Sequence, residues 1–157
     1  MTAPALSIEG LTLALPAMAD RTNAVETVSL AIQPGETLCV VGESGSGKSM
    51  IAHAVMGLLP KAVKPVAGAI RLAGRDILAL DEQAMQDMRG REVGMIFQEP
   101  MTSLNPVMRI SDQIVETFEA HGLHDKATRR ARAIELLTEV GLPDPPRLAR
   151  AYPHELS

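Results

Sequence analysis

Apolar and polar residues alternate over positions 6–15, the pattern of a strand with one buried face. Residues 25–32 predict a second strand, reached through a loop at 16–23 and closed by the turn pair Pro34-Gly35. Positions 37–41 form a short, almost wholly apolar run, which predicts a strand buried on both faces. A glycine-rich segment follows. The apolar stretch 50–59 then predicts a helix ended by Pro60. Residues 69–72 and 93–97 predict two more strands, the first turning at Ala73-Gly74. Between them, Ala84, Met85 and Met88 share one helical face ahead of Gly90.

The rhythm changes after Pro100. Ile110, Ile114, Val115 and Phe118 recur at helical spacing. Ala127, Ala131, Ile134, Leu137 and Val140 do so again, with Gly141 as the stop. Residues 143–157 are proline-rich, then weakly helical. The chain thus mixes strands and helices up to residue 98 and reads as helical over 99–157. Neither an internal repeat nor a low-complexity tract is present.

The segment Gly42-Glu43-Ser44-Gly45-Ser46-Gly47-Lys48-Ser49 fits G-x-x-x-x-G-K-[ST], the phosphate-binding P-loop. Its chemistry explains its residues. Glycines at 42, 45 and 47 let the backbone curl until successive N–H groups face phosphate oxygens. Lys48 adds a compact positive charge for the β- and γ-phosphates of ATP. The Ser49 hydroxyl is suited to ligate Mg²⁺, and a helix starting near Lys48 turns its positive end toward the same oxygens. A predicted strand before the loop and a predicted helix after it supply the required context.

Composition narrows the function further. A length of 157 residues suits about one domain. Only Phe97, Phe118 and Tyr152 are aromatic, so nine methionines and the aliphatics must fill the core. A net charge of −4 argues against a basic nucleic-acid binder. Cys39 is the single cysteine, so no intrachain disulfide forms; its place within the predicted strand at 37–41 makes it an expected buried, inert thiol. No apolar run approaches the roughly 20 residues of a membrane span. No basic-then-apolar leader opens the chain. The expected site of residence is the cytoplasm, with any membrane link supplied by a partner.

Three segments in order resemble the ATP-binding subunits of ABC transporters. Gly35-Glu36, a short apolar run and the P-loop resemble the start of their core. Met95-Ile96-Phe97-Gln98-Glu99-Pro100 resembles their Q-loop. Its continuation Met101-Thr102-Ser103-Leu104-Asn105-Pro106-Val107 is similar to the oligopeptide and dipeptide importer branch. Tyr152-Pro153-His154-Glu155-Leu156-Ser157 is similar to the approach to the signature motif. The resemblance implies an α/β fold: a P-loop NTPase-type core with an N-terminal antiparallel β portion over 1–98, then an incomplete helical subdomain over 99–157. It gives Gln98 a place on Mg²⁺ and the attacking water, and makes Gln98 and Lys48 the catalytic residues. Residues 99–108 would face the permease, and a second ATP-binding subunit would close over the nucleotide. Nucleic acid has no place in this scheme. The complex would lie peripherally on the cytoplasmic face of the inner membrane.

The chain departs from the family pattern at two places. It reaches Ser157 before the family's Mg²⁺-binding aspartate, catalytic glutamate and switch histidine. The 157 residues by themselves are therefore expected to bind ATP without hydrolysing it at a useful rate. The family also stacks adenine on an aromatic ahead of the P-loop. Here only Leu15, Met18 or Val25 would offer contact, and that contact would be apolar.

Other signals have plainer readings. Asp81-Glu82 imitates the end of a catalytic strand, yet Asp81 precedes a helical pattern and reads as its N-cap. Lys126, Arg129, Arg130 and Arg132 read as the solvated face of an amphipathic helix. His53 and His154 are assigned to structure, and His121 and His124 lack further metal ligands. The leading function is the energy-coupling subunit of a peptide importer. The alternatives are a non-catalytic nucleotide-binding fragment and a P-loop ATPase outside transport.

Overall fold

The computed structural model describes residues 3–156. It divides into two compact units, Met1–Met95 and Ile96–Ser157.

In the first unit, β1 (Leu6–Ala14) lies between β2 (Asn23–Ile32) and β3 (Lys64–Leu72), antiparallel to both. The short β4 (Arg75–Asp76) completes the sheet in the order β2-β1-β3-β4. The buried residues of β1 are Ile8, Leu11 and Leu13. Ile8 and Leu11 are an odd number apart, so strict alternation would send them to opposite faces. A register shift between them restores the phase. Two hydroxyls repair the interrupted ladder. The Gly10 N–H donates to Ser29 Oγ at 2.8 Å, and the Thr27 N–H to Thr12 Oγ1 at 3.1 Å. β3 begins well before the expected 69–72. Its first half is exposed on both faces and is held by backbone pairing, which leaves no hydrophobic period to read.

Helices α1 (Lys48–Val55) and α2 (Glu82–Met88) cover one face of the sheet. Ile8, Leu13, Ile70, Val55, Met85 and Met88 share that core. The expected helix over 50–59 starts earlier and stops sooner. Gly57 adopts φ 62°, and the Leu58 N–H returns to the His53 carbonyl at 2.8 Å. That is a glycine stop, so Gly57 and not Pro60 ends the helix. Asp81 caps α2 as expected, its Oδ1 accepting from the Ala84 N–H at 2.8 Å.

Two predicted strands belong to no sheet. Residues 37–41 and 93–97 find no ladder neighbour among the described residues, apart from an isolated bridge between Arg89 and Val93. A strand exists only where a neighbour takes its N–H and C=O groups, so apolar sequence alone does not make one. Leu38 and Val40 instead border an open, largely apolar cavity of about 340 Å³ beneath the sheet. Val41 is 83% exposed. Cys39 is exposed as well, which corrects the expectation of a buried thiol.

In the second unit, α3 (Ile110–Ala120), α4 (Arg129–Glu139) and α5 (Pro145–Arg150) pack around Ile110, Leu137 and Ala149. The Ile110 N–H donates to the Ala151 carbonyl at 3.0 Å, tying the start of α3 to the end of α5. The buried face of α4 is Ala133, Ile134 and Leu137. Ala127, Ala131 and Val140 are exposed: α4 starts after residue 127, Val140 is its C-cap, and Ala131 lies within the helix but off its buried face. Arg129, Arg130 and Arg132 pair with Glu119, Asp112 and Glu139; Arg130 is solvated as expected, whereas the Arg129 side chain is only 16% exposed and does not belong to a solvated face. Ser157, at the end of the expected approach to the signature, lies outside the described residues.

Candidate phosphate-binding site

The eight-residue loop joins residue 41 to α1 through two left-handed glycines, Gly45 at φ 80° and Gly47 at φ 94°. Such alternation of backbone hand turns successive amides toward one side. Gly47 is also sterically required. A Cβ there would stand 2.5 Å from the Ala24 carbonyl oxygen and 2.8 Å from Val25 Cγ2. The loop and the start of β2 therefore touch at bare backbone.

Within the loop, the Ser46 N–H donates to the Glu43 carbonyl at 3.3 Å. The first backbone bond of α1 runs from the Ile51 N–H to the Gly47 carbonyl at 3.1 Å. The N–H groups of Gly45, Gly47, Lys48 and Ser49 have no acceptor among the described residues. Those of Gly47, Lys48 and Ser49 are the orphan donors of a helix start and carry the positive end of its dipole, while Gly45 belongs to the loop before it.

Lys48 curls back over the same loop. Its Nζ donates to the Gly42 carbonyl at 2.8 Å, the Glu43 carbonyl at 2.6 Å and Ser46 Oγ at 3.1 Å. Ser49 is exposed, and its hydroxyl has no partner among the described residues. Its carbonyl meets His53 Nδ1 at 2.6 Å, so His53 braces the first turn of α1. The arrangement thus offers amides, an ammonium and a hydroxyl, all suited to an anion with a small hard cation. No cluster of three or more His, Cys, Asp or Glu is suited to a metal among the described residues. This donor set fits Mg²⁺ carried on phosphate oxygens, which needs few protein ligands, and not a caged metal. The 340 Å³ cavity is walled mainly by apolar side chains, with Lys48 at its edge. The polar chemistry belongs to the loop.

Gly42, Glu43, Ser44, Gly45, Ser46, Gly47, Lys48 and Ser49 all fall in the first unit. Gln98 falls in the second, with its side chain exposed just after Phe97. One residue ties down the far end of the segment after it, at Asn105 and Met108. Gln113 on α3 accepts from the Asn105 N–H at 2.9 Å and donates to the Asn105 and Met108 carbonyls, both at 3.1 Å. Met101 and Val107 remain exposed on that segment. Of the apolar candidates for base contact, Val25 is only 5% exposed and belongs to the core, so it is unavailable. Leu15 is half-buried and Met18 is 99% exposed.

Sequence reasoning missed Gln113 and Arg21. Arg21 Nη2 donates to the Gly45 carbonyl at 2.8 Å, across 24 residues of chain. Nothing in the residue pattern marks Arg21, because only the β1–β2 hairpin brings it to the loop. Gln113 has a faint signal in Asn105-Pro106, a turn start whose one N–H, that of Asn105, needs a partner. His124 sits edge-on to Phe118 at 5.0 Å, and His154 stacks on Tyr152 at 5.7 Å, both structural contacts.

A family model described as ABC transporter matches residues 25–157. The chain is 46% identical over 156 residues to the oligopeptide transport ATP-binding protein OppD of Mycobacterium tuberculosis, matching 98% of this chain and 25% of that one. It is 45% identical over 157 residues to the peptidoglycan transport ATP-binding protein YejF of Agrobacterium fabrum, matching 99% of this chain and 29% of that one. The chain spans a quarter to about half of the length of the curated relatives it matches. A solved ATP-binding cassette, dimeric and bound to ADP and Pi after hydrolysis, superposes with a TM-score of 0.75 at 25% identity, covering 97% of this chain and 63% of that one. The mixed α/β fold with its antiparallel N-terminal sheet is therefore of the P-loop NTPase type.

Proposed function

Because the chain belongs to the ABC transporter family, we propose that it is the ATP-binding, energy-coupling part of a peptide importer, gripping the ATP triphosphate with residues 42–49. The observation that carries this reading is the set of unpartnered amides at Gly45, Gly47, Lys48 and Ser49, with the Lys48 ammonium folded over them. Phosphate oxygens would replace the Gly42 and Glu43 carbonyls as partners of Lys48. The amides would take the remaining charge without moving far, which is the advantage of a preformed site.

Mg²⁺ would be held by the Ser49 hydroxyl and Gln98, and when bound it neutralises charge on the β- and γ-phosphates. Gln98 is the catalytic group proposed to orient the attacking water. The segment 99–108, held by Gln113 at Asn105 and Met108 and exposing Met101 and Val107, is the proposed contact for a transmembrane permease subunit. A second ATP-binding subunit closing over the nucleotide is supported by the dimeric state of the solved relative. No helix among the described residues is long and apolar enough to cross a membrane. Attachment to the cytoplasmic face of the inner membrane would then run through the permease.

The test is calorimetric titration with Mg·ATP of the parent protein and Lys48→Ala. Losing a charged contact costs about 2–5 kcal/mol, so affinity should fall roughly 30-fold or more. Equal affinity in the two proteins would remove the loop from this role. In a chain that also carries the family's later catalytic motifs, Gln98→Ala should lower ATP turnover by about tenfold or more with little change in nucleotide affinity, because positioning dominates phosphoryl transfer.

A further inference from the structure

We propose that Arg21 is the base-binding residue of the nucleotide site, its guanidinium plane stacking on the purine while one edge stays hydrogen-bonded to the Gly45 carbonyl. The inference rests on residues 42–49 being a triphosphate site and adds what the loop itself lacks, a surface for the base.

The loop at residues 15–22 is held against the phosphate loop at two points. The Leu15 N–H closes it by donating to the Thr22 carbonyl at 2.8 Å. Immediately beyond, the Ala24 carbonyl oxygen lies so near Gly47 that a Cβ there would come within 2.5 Å. Arg21 makes the second point, at 2.8 Å from the Gly45 oxygen. A group fixed there stands beside whatever the loop amides grip.

A base needs a flat or apolar surface, and residues 1–95 contain no Phe, Tyr or Trp. Of the other planar cationic side chains of this unit, most are committed elsewhere, and Arg91 has no bond to the phosphate loop. Arg71 pairs with Glu9, Arg75 with Glu92, and Arg89 with Glu82 and the Met56 carbonyl. His53 is engaged with the Ser49 carbonyl. Arg21 alone among them is bonded to the phosphate loop, and it has no carboxylate partner among the described residues. Its bond to Gly45 uses an in-plane N–H and so occupies an edge and not a face, Arg21 is exposed, and a guanidinium stacks on a nucleobase as an aromatic ring does. A lysine placed there could keep the hydrogen bond and the charge but would offer no plane. Met18, in the same loop and 99% exposed, supplies an apolar neighbour for the base.

The experiment compares the parent, Arg21→Ala and Arg21→Lys by calorimetry with two magnesium-loaded probes, ATP and inorganic tripolyphosphate. Both variants should bind ATP roughly tenfold more weakly, the worth of one stacked base, and tripolyphosphate as well as the parent does. Equal weakening toward both probes would make Arg21 a clamp on the phosphate loop and overturn the inference. So would recovery of ATP affinity in Arg21→Lys, or no change in either variant. A parent that binds neither probe would instead overturn the triphosphate site itself.

Discussion

Gly47 is the position in the loop that tolerates least change. It needs φ 94°, and a methyl group there would meet the Ala24 carbonyl at 2.5 Å. Gly47→Ala should therefore cost about 1–3 kcal/mol in urea denaturation and also weaken Mg·ATP binding. An unchanged stability would mean that the loop and the start of β2 are not in contact. At this scale the sequence was most informative where chemistry dictates residue type at fixed spacing. Gly42 to Ser49 were readable because backbone curl, ammonium and hydroxyl admit few substitutes. Arg21 was not readable, because its role depends on a contact across 24 residues that only the folded hairpin creates. The exposure of Cys39 is hidden from the sequence for the same reason, since burial there would require a sheet that the segment does not join.

The elements follow local signals where those signals are self-contained. Asp81 caps α2 and Gly141 follows α4, both legible because caps and stops act within one turn. The apolar content of residues 37–41 and 93–97 predicts strands, but a strand needs a partner that no local pattern can supply. Arg89 decides how α1 and α2 sit together. Its Nε donates to the Met56 carbonyl at 2.8 Å, its Nη2 to the Gly57 carbonyl at 3.2 Å, and its Nη1 to Glu82 at 2.7 Å. Arg89→Ala leaves helix-end carbonyls without this donor and should lower stability by about 2 kcal/mol, read by thermal or urea unfolding.

The Arg89 bond also holds the Glu82 carboxyl below its ordinary 4.5. A lowered folded value stabilises the protein above the ordinary range, and that contribution is lost as pH falls through the folded value. The stability gap between parent and Glu82→Gln should thus be full near neutrality and vanish in acid. A gap that widens in acid would contradict the pairing. On α3, Gln113→Ala should speed amide exchange at Asn105 about tenfold, since its side chain accepts from that amide.

Taken whole, the molecule is two units, each with its own core. The general class, α/β followed by helices, was legible because hydrophobic period shifts from strand-like to helical after Pro100. The state of the apolar segments was not. Val40 is 47% exposed and Val41 83%, beside the 340 Å³ cavity. Such an exposed patch should bind a hydrophobic dye, and Val41→Lys should reduce that signal without altering Mg·ATP affinity. Dye binding at the level of a typical folded monomer would show this surface to be covered.

The most direct measurement of the central claim is an NMR titration of backbone amides with Mg·ATP. The account predicts that the largest shifts fall on the N–H groups of Gly45, Gly47, Lys48 and Ser49, which have no partner of their own among the described residues. Saturating nucleotide that leaves those four resonances in place would contradict it.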